Sequence, residues 1–487
     1  MNNSKNDNQQ SEENRQNSAQ YTVTLPPSAY SFAASYMADS SLSQKSEKNA
    51  DKESEDKSLS DDELNLSLSL AKTQYENNAP VDAGQAAGAK TKEKGSFIRA
   101  PLIPTQEGPM GIRYDFNDGV RVLLPKGTWH VQLEDEESGN ILFACDADEG
   151  WVVSTKKYYV QFRIRIWDRS NLNKPVLDHI MDLKDRNVLL KFPVGTLGDI
   201  LGWFPYAEKF QKKHNCRVEC TLAQNIIELL RDQYPDLTLS SPENVKNKEP
   251  YASYCLGLFF CGNEDYQPYD FRQVGLARTV GYILGVDPEE TPPRLPPDPA
   301  RVINEPYVCI GVKSTNIAKM WNNGYGWDMV IDYLKNLGYR VLCIDREKTV
   351  GYGYVWNHLP HGAEDFTGDR PLKERAAMLH HAEFFIGLSS GLSWLAWAAG
   401  IPVVLISGFT LPICEFKTPY RVHNTHVCHG CWDAADVNFD HNDYFWCPRH
   451  KGTERQFECS RAITAKQVIN TIERLRQDFK LSAPKER

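Results

Sequence analysis

Beyond about residue 95, the chain begins with a series of short apolar runs. They are rich in β-branched and aromatic residues and are separated by turn signals such as Asn117-Asp118-Gly119 and Ser138-Gly139-Asn140, a pattern that predicts antiparallel strands. The predicted strands are 120–124, 130–133, 141–144, 151–153 and 158–167. The pattern indicates a β-rich unit, a small barrel or sandwich, over residues 96–185.

From residue 186 the pattern becomes an alternation of strands and helices. In the first stretch, residues 186–286, we predict strands at 187–192, 217–222 and 255–261, with helices from Asp199 and at 225–232 and 272–284. In the second, residues 301–415, we predict strands at 307–312, 340–344, 384–388 and 402–406, with helices at 327–337, 371–381 and 392–399. Such alternation predicts parallel sheets covered on both faces.

A proline-rich connector at 287–300 joins these two stretches and contains six prolines. Such a segment is stiff. The fold class is therefore α/β, with two Rossmann-like domains, an added antiparallel β-rich domain and a cleft between the carboxyl ends of two sheets. That is where α/β folds bind nucleotides.

Residues 1–95 have a different composition, with 15 Ser, 10 Asn, 10 basic and 15 acidic side chains. This composition predicts a disordered polar tail with one short helix at 61–75. The whole chain has 487 residues and a net charge of −9, which argues against a nucleic-acid partner held by a basic surface. It has neither the apolar run of a membrane span nor the hydrophobic core of a secretory signal near its start, so we expect a cytoplasmic protein.

Four of the twelve cysteines have the spacing of a metal site: Cys428-x2-Cys431, then Cys447 and Cys459. A Cys-x2-Cys turn directs two thiolates at one ion, and two later cysteines complete a tetrahedron. The intervening segment is polar and cannot form a core, so we predict a metal-stapled finger over 416–463, followed by a C-terminal helix over 464–487. From spacing alone zinc leads and iron is second.

Three further motifs follow predicted strands. Asp199 comes after a Gly-Thr-Leu-Gly turn and lies in a first helical turn, where it is either a functional carboxylate or a capping residue. A second motif contains Ser314, Thr315 and Lys319, which suit a pyrophosphate, although a solvated lysine gives the same pattern. The third is the turn Ser389-Ser390-Gly391, whose backbone amides could face an anion or form an ordinary turn.

Together, these motifs resemble a known family. The Leu-Gly-Asp-Ile segment around Asp199, the Ala-Lys-Met-Trp segment around Lys319 and the Ser-Ser-Gly turn at 389–391 are similar to ADP-heptose-dependent heptosyltransferases of the GT-B fold. The β-rich unit, with Gly-Ile-Arg-Tyr-Asp-Phe-Asn-Asp-Gly at 111–119, and the four-cysteine segment narrow the resemblance to bacterial autotransporter protein O-heptosyltransferases. It covers about residues 105–480.

The resemblance implies an enzyme that moves heptose from ADP-heptose to serine hydroxyls of an autotransporter adhesin passenger by inverting single displacement. It implies that Asp199 is the catalytic base, that Lys319 holds the donor phosphates, and that one iron per chain, rather than zinc, occupies the four cysteines. The other predicted donor-binding residues are Ser314, Thr315, Ser389, Ser390 and Gly391. The family also forms ring-like homo-oligomers such as a dodecamer.

Two alternatives accompany this hypothesis: a heptosyltransferase acting on the lipopolysaccharide inner core, and a non-catalytic nucleotide-sugar-binding scaffold. Lipopolysaccharide heptosyltransferases usually carry Asp where this chain has Ser389 and His where it has Trp394, which favours a protein acceptor. The presence of both Asp199 and Lys319 favours an enzyme over a scaffold.

Overall fold

The computed structural model describes residues 98–193, 196–260, 262–297, 300–440 and 442–486, all within one compact unit. The predicted tail at 1–95, with its helix at 61–75, therefore lies outside the described residues. Among the helices of the described ranges, none is long and apolar enough to cross a lipid bilayer.

Eight strands open the described chain. They are β1 (Gln106–Glu107), β2 (Arg113–Asn117), β3 (Arg121–Leu124), β4 (Trp129–Asp135), β5 (Asn140–Ala147), β6 (Gly150–Val153), β7 (Phe162–Asp168) and β8 (Leu177–Ile180). Four of them form an antiparallel sheet of order β5-β4-β7-β8, which confirms the predicted β-rich unit.

The other strands of this region correct one expectation, because they do not complete a separate barrel. Strand β2 pairs in parallel with a strand of the first α/β stretch through Phe116 and Asn117, and β3 and β6 extend the same sheet. A buried ion pair between Arg121 and Asp115 lies on this extension, with 2.6 Å between Arg121 Nη2 and Asp115 Oδ2. The β-rich region and the first Rossmann-like stretch therefore share one sheet.

The first α/β stretch builds the rest of that sheet. Its elements are β9 (Asn187–Lys191), α1 (Leu197–His214), β10 (Arg217–Thr221), α2 (Gln224–Leu230), β11 (Thr238–Ser240), β12 (Ala252–Cys255), α3 (Phe271–Val274) and α4 (Leu276–Ile283). The strand order is β11-β10-β9-β12-β2-β3-β6, and β9 to β12 pair in parallel as predicted.

Two local predictions were wrong here. The strand predicted at 255–261 lies earlier, at 252–255, because pairing with β9 stops where Cys255 meets Lys191. The helix predicted at 272–284 is divided into α3 and α4 by Gly275, which has a φ of +95°. A Cβ at Gly275 would lie 2.2 Å from the Ile413 carbonyl oxygen, so close backbone contact requires glycine there.

The second α/β stretch forms a six-stranded parallel sheet of order β17-β14-β13-β18-β19-β20. Its elements are β13 (Tyr307–Ile310), α5 (Gly326–Leu337), β14 (Arg340–Cys343), the hairpin β15 (Val350–Tyr352) and β16 (Val355–Asn357), β17 (Glu364–Asp365), α6 (Leu372–His380), β18 (Phe385–Leu388), α7 (Gly391–Ala398), β19 (Val403–Ile406) and β20 (Arg421–Val422). Every residue of β13, β18 and β19 is buried, as expected of central strands covered on both faces.

The predicted finger begins later than expected, since β20 within 416–463 belongs to this sheet. Between β20 and the short helix α8 (Glu458–Arg461), the finger contains one described 3-10 turn, Cys431–Asp433. Helix α9 (Ala465–Asp478) closes the chain and begins with a reciprocal capping box between Thr464 and Gln467. The predicted C-terminal helix is thus confirmed, but it is shorter than 464–487.

Candidate active site and metal centre

Asp199 lies in the first turn of α1, as predicted. Thr196, the N-cap residue, donates its hydroxyl hydrogen bond to Asp199 Oδ2 at 2.6 Å. Burial raises the pKa of the Asp199 carboxyl, and the Thr196 hydrogen bond and the positive charge of Lys319 oppose that rise. A partly desolvated carboxylate with a raised pKa is suited to accepting a proton.

Lys319 ends a short 3-10 helix, Ile317–Lys319, in the other half of the molecule. The side chain of Asn316 caps this helix by accepting the Ala318 N–H at 2.8 Å. The ammonium lies 5.7 Å from the ring centroid of Phe409 and 5.4 Å from that of Trp432. Rings at these distances stabilise a cation while keeping it partly dehydrated.

Asp199 and Lys319 interact electrostatically although they come from different α/β stretches. Burial lowers the pKa of Lys319, and the negative charge of Asp199 opposes that change. The structure therefore brings together a carboxylate and an ammonium that are 120 residues apart in the chain. A base and a cation whose charges act on one another can activate a hydroxyl and stabilise an anionic leaving group.

The turn Ser389-Ser390-Gly391 lies directly against the segment that carries Asp199. A Cβ added at Gly391 would lie 2.7 Å from Leu197 Cβ and 3.2 Å from Gly198 N, so glycine allows the close approach of the two segments. Ser390 Oγ is buried without a hydrogen-bond partner, and Ser389 Oγ lies 3.2 Å from Thr410 Oγ1. Ser390 thus offers a free polar group beside the N-terminus of α7.

The structure gives Trp394 a packing role. A Cβ at Gly198 would lie 2.6 Å from Trp394 Cδ1, and one at Gly202 would lie 3.0 Å from its Cζ3. Trp394, on α7, therefore covers the first turns of α1 across the boundary between the halves.

Ser314 and Thr315 lie in the loop between β13 and the 3-10 helix that ends at Lys319, where Ser314 is half-buried and Thr315 is exposed. The sequence analysis missed Thr196, Phe409 and Trp432. Two of these had a usable signal: Trp432 directly follows Cys431 of the predicted metal site, and Thr196 precedes Asp199 in a Thr-x-x-Asp pattern typical of a helix start.

The four predicted metal ligands, Cys428, Cys431, Cys447 and Cys459, are all half-buried, and their charges act on one another. Burial raises the pKa of the Cys459 thiol to about 12, and the charges of the other three cysteines add to the rise. Burial and the neighbouring Cys428 likewise raise the pKa of Cys431 to about 12. Four thiols are a suitable donor set for zinc or iron, but among the described residues no three of these four sulfur atoms lie within 4.8 Å of one another.

A second group of donors overlaps this cluster. Single ligand atoms of Cys428, His450 and Glu458 all lie within 4.8 Å of one another. Glu458 is already engaged, however, because its Oε1 accepts the Cys428 N–H at 3.0 Å and its carboxylate pairs with Arg455. Glu458 therefore suits a supporting role better than direct coordination.

Comparisons with known proteins identify the family of this chain. Residues 108–170 match the family model of the glycosyltransferase TibC N-terminal domain, and residues 277–442 match that of glycosyltransferase family 9 (heptosyltransferase). An autotransporter heptosyltransferase of Citrobacter rodentium, BAHTCr, is 62% identical over 379 residues, which are 78% of this chain and 92% of that protein. An inactive autotransporter heptosyltransferase of Burkholderia thailandensis, BimC, is 43% identical over 81% of this chain and 92% of its own length.

Crystal structures of TibC from enterotoxigenic E. coli also match the chain. One, described as an iron-containing dodecameric glycosyltransferase, is 60% identical, has a TM-score of 0.77 and covers 78% of this chain and 100% of that one. A second TibC structure, with a TM-score of 0.76, is a complex with ADP-D-β-D-heptose. This chain therefore belongs to the autotransporter heptosyltransferases, which are glycosyltransferases of family 9.

Proposed function

We propose that this protein transfers heptose from ADP-heptose to serine hydroxyls of an autotransporter adhesin passenger. The observation that carries the proposal is the electrostatic interaction of Asp199 with Lys319 across the two halves. The relative TibC was crystallised with ADP-heptose, which supports the donor, and the names of the relatives support the acceptor.

In this proposal each half supplies one part of the chemistry. Asp199 takes the proton of the serine hydroxyl as the oxygen attacks the sugar carbon, and Thr196 orients the carboxylate. Lys319 stabilises the negative charge that grows on the departing diphosphate. Ser389, Ser390 and Gly391, beside the N-terminus of α7, and Ser314 and Thr315, in the loop after β13, complete the donor site.

A single displacement needs no second carboxylate, because no covalent sugar–enzyme intermediate forms. Attack opposite the leaving group inverts the configuration at the sugar carbon. The arrangement of one base facing one cation matches this requirement.

The four-cysteine cluster is proposed to hold one iron ion per chain, since TibC contains iron and the clustered thiols suit it. Its role is structural, because four protein thiolates leave no open coordination position. The protein is further proposed to act in the cytoplasm, before its acceptor is exported, and to form a homo-oligomer, a dodecamer in the case of TibC.

The test is the intact mass of an autotransporter passenger co-expressed with this protein. We expect mass increments of whole heptose units on serine, and none with Asp199→Asn, which keeps the shape of the side chain but removes its basicity. Asp436→Asn, at an exposed finger carboxylate, is the matched control and should leave the increments unchanged.

The named alternatives give other results in this experiment. An unmodified passenger together with heptose added to lipopolysaccharide would establish the lipid acceptor. An unmodified passenger, unchanged lipopolysaccharide and retained ADP binding would establish a scaffold, the function class that the inactive relative BimC brings into consideration.

A further inference from the structure

Lys313 is a buried lysine whose ammonium the proposed mechanism does not use. It follows β13 by three residues and is only 7% exposed, and its Nζ is buried without a hydrogen-bond partner. An ammonium has three donors, and leaving them unpaired away from water is unfavourable unless a ligand accepts them. Such a group at the carboxyl end of a central parallel strand therefore indicates a missing anionic partner.

The nearest carboxylate, Asp345, already has other partners. Asp345 Oδ2 accepts the Val312 N–H at 2.8 Å, and Oδ1 accepts the Lys313 backbone N–H at 3.4 Å. The carboxylate thus binds the backbone of the loop; its charge also acts on the lysine ammonium, but no hydrogen bond joins the two groups. Asp345 is itself only 3% exposed, so solvent barely reaches this carboxylate.

The charges of this cluster do not balance. Arg375 is 3% exposed and donates to the Asp345 carbonyl oxygen at 3.1 Å, and its positive charge also interacts with the Asp345 carboxylate. Two buried cations, Lys313 and Arg375, therefore share one buried anion, and the exposed Asp369 adds negative charge at Arg375 only. The surplus positive charge is stabilised when an anion binds beside it.

The loop that carries Lys313 also lies at the proposed donor site. A Cβ at Gly311 would lie 3.2 Å from Leu392 Cδ1, which places the start of the loop against the first turn of α7. The same loop continues through Ser314 and Thr315 to the 3-10 helix that ends at Lys319. Lys313 therefore lies in a loop flanked by the two elements proposed to contact the diphosphate.

We infer that Lys313 is a second cationic ligand of the donor diphosphate, acting with Lys319. The inference rests on the proposed ADP-sugar donor. It assigns Lys313 to binding the diphosphate in both the bound and the reacting state, whereas Lys319 faces the base Asp199 and stabilises the charge on the leaving oxygen. Replacement of Lys313 should accordingly weaken donor binding more than it slows the transfer reaction within the donor-bound complex.

Calorimetric titration of the full-length protein with ADP and, separately, with adenosine tests the inference. For Lys313→Met we expect ADP affinity to fall about tenfold to a hundredfold, the range for one charged hydrogen bond, with adenosine affinity unchanged. Lys466→Met, which removes an exposed lysine from α9, is the matched control and should match the wild type for both ligands. Lys313→Gln, neutral but polar, serves if the methionine variant does not fold.

Thermal unfolding without ligand separates this role from a purely structural one. Lys313 Nζ makes no hydrogen bond, and Arg375 still balances the Asp345 charge, so removal of the Lys313 ammonium should leave the unfolding midpoint unchanged or raise it. Unchanged ADP affinity, an equal loss of ADP and adenosine affinity, or a lowered midpoint with ADP affinity retained would each overturn the inference and leave the proposed function intact. If the wild-type protein binds ADP no better than adenosine, the proposed donor fails together with the inference.

Discussion

The Lys319 ammonium lies 5.4 Å from the ring centroid of Trp432, the residue that directly follows the predicted metal ligand Cys431. The finger also contacts the neighbouring backbone, because the Asn316 amide donates to the Asp443 carbonyl oxygen at 2.9 Å. Ile317 and Ala318 pack in a small core with Phe409 and with Trp446 and Phe457 of the finger. The four-cysteine finger thus supports the 3-10 helix that carries Lys319.

The first prediction concerns Trp432. Trp432→Ala should lower ADP affinity about threefold to thirtyfold, because it removes one of the two rings that stabilise the Lys319 ammonium. Metal content should stay stoichiometric, since the cysteines remain. Trp432→Phe keeps an aromatic face and should recover most of the affinity. Equal affinities for the alanine variant and the wild type would show that the ring does not act on Lys319.

The second prediction concerns the metal centre. Cys431→Ser should lower metal content, because three thiolates hold the ion less tightly than four, and it should lower the thermal unfolding midpoint of the protein. Cys145→Ser, at a half-buried cysteine outside the cluster, should change neither. Elemental analysis of purified protein measures the content. Stoichiometric metal in a variant with all four cysteines replaced by serine would contradict the site.

His450 distinguishes the two overlapping donor sets. His450→Ala should retain metal if four cysteines bind it and should lose metal if Cys428, His450 and Glu458 are the ligands.

Chelation of the wild-type protein should also weaken ADP binding, since the finger packs under the segment 316–319. Unchanged ADP affinity after complete metal removal would disprove this link between the finger and the donor site.

The third prediction concerns Lys319 itself. Lys319→Ala should reduce turnover by about 10²- to 10³-fold, the usual scale for removing one group that stabilises developing charge. The passenger modification rate at saturating donor measures it, and Lys466→Ala, at an exposed lysine of α9, is the control. Unchanged turnover together with unchanged ADP affinity would remove Lys319 from the mechanism.

The fourth prediction concerns pH. The base Asp199 acts only when ionised, and burial raises its pKa, so turnover should fall on the acid side at a pH above the ordinary aspartate pKa of about 3.9. Lys319 acts only when protonated, and burial lowers its pKa, so ADP binding should weaken on the alkaline side at a pH below the ordinary lysine pKa of about 10.4. The pH dependence of turnover checks the loss on the acid side, and the pH dependence of ADP affinity checks the loss on the alkaline side, called the alkaline limb below.

Asp199→Asn provides the control for the alkaline limb. Its neutral side chain no longer supports the charge on Lys319, so the pH at which ADP binding weakens should move down further. Calorimetric ADP titrations between neutral and alkaline pH measure this shift. An alkaline limb at the same pH in both proteins would mean that Asp199 and Lys319 are not electrostatically coupled.

Much of this architecture follows from local patterns. The central strands β13, β18 and β19 are short apolar runs bounded by polar residues, and their positions were predicted to within two residues at each end. The largely apolar run at 251–261 continues well beyond the end of β12. The sequence therefore does not mark where the strand stops, and its pairing with β9 decides it. Local periodicity also could not show that β2 joins that sheet, because the pairing spans more than 130 residues.

The candidate site likewise contains residues that local motifs predict and residues that they do not. Asp199, Lys319 and the cysteines were predicted because their chemistry appears in short motifs. The aromatic contacts of Lys319 depend on Phe409 and Trp432, which are 90 and 113 residues away, and no local pattern links either ring to Lys319. Trp394 appeared as a departure from a donor motif, whereas its place is set by two glycines of α1 in the other half.

The last prediction uses that contact. Gly198 has no side chain, and a Cβ there would lie 2.6 Å from Trp394 Cδ1 and 3.2 Å from its Nε1, within a rigid buried ring. Gly198→Ala therefore forces α1 and α7 apart, which displaces Asp199, the next residue in the chain. Such small displacements of a reacting group cost on the order of 10²-fold in rate, so we expect this loss of turnover with ADP affinity changed far less. Gly324→Ala, where a Cβ would meet no atom within 4 Å, is the matched control. Replacing Trp394 by leucine in the Gly198→Ala background removes the ring that causes the clash and should restore part of the rate. If Gly198→Ala works at the wild-type rate, close contact between Gly198 and Trp394 does not position the base.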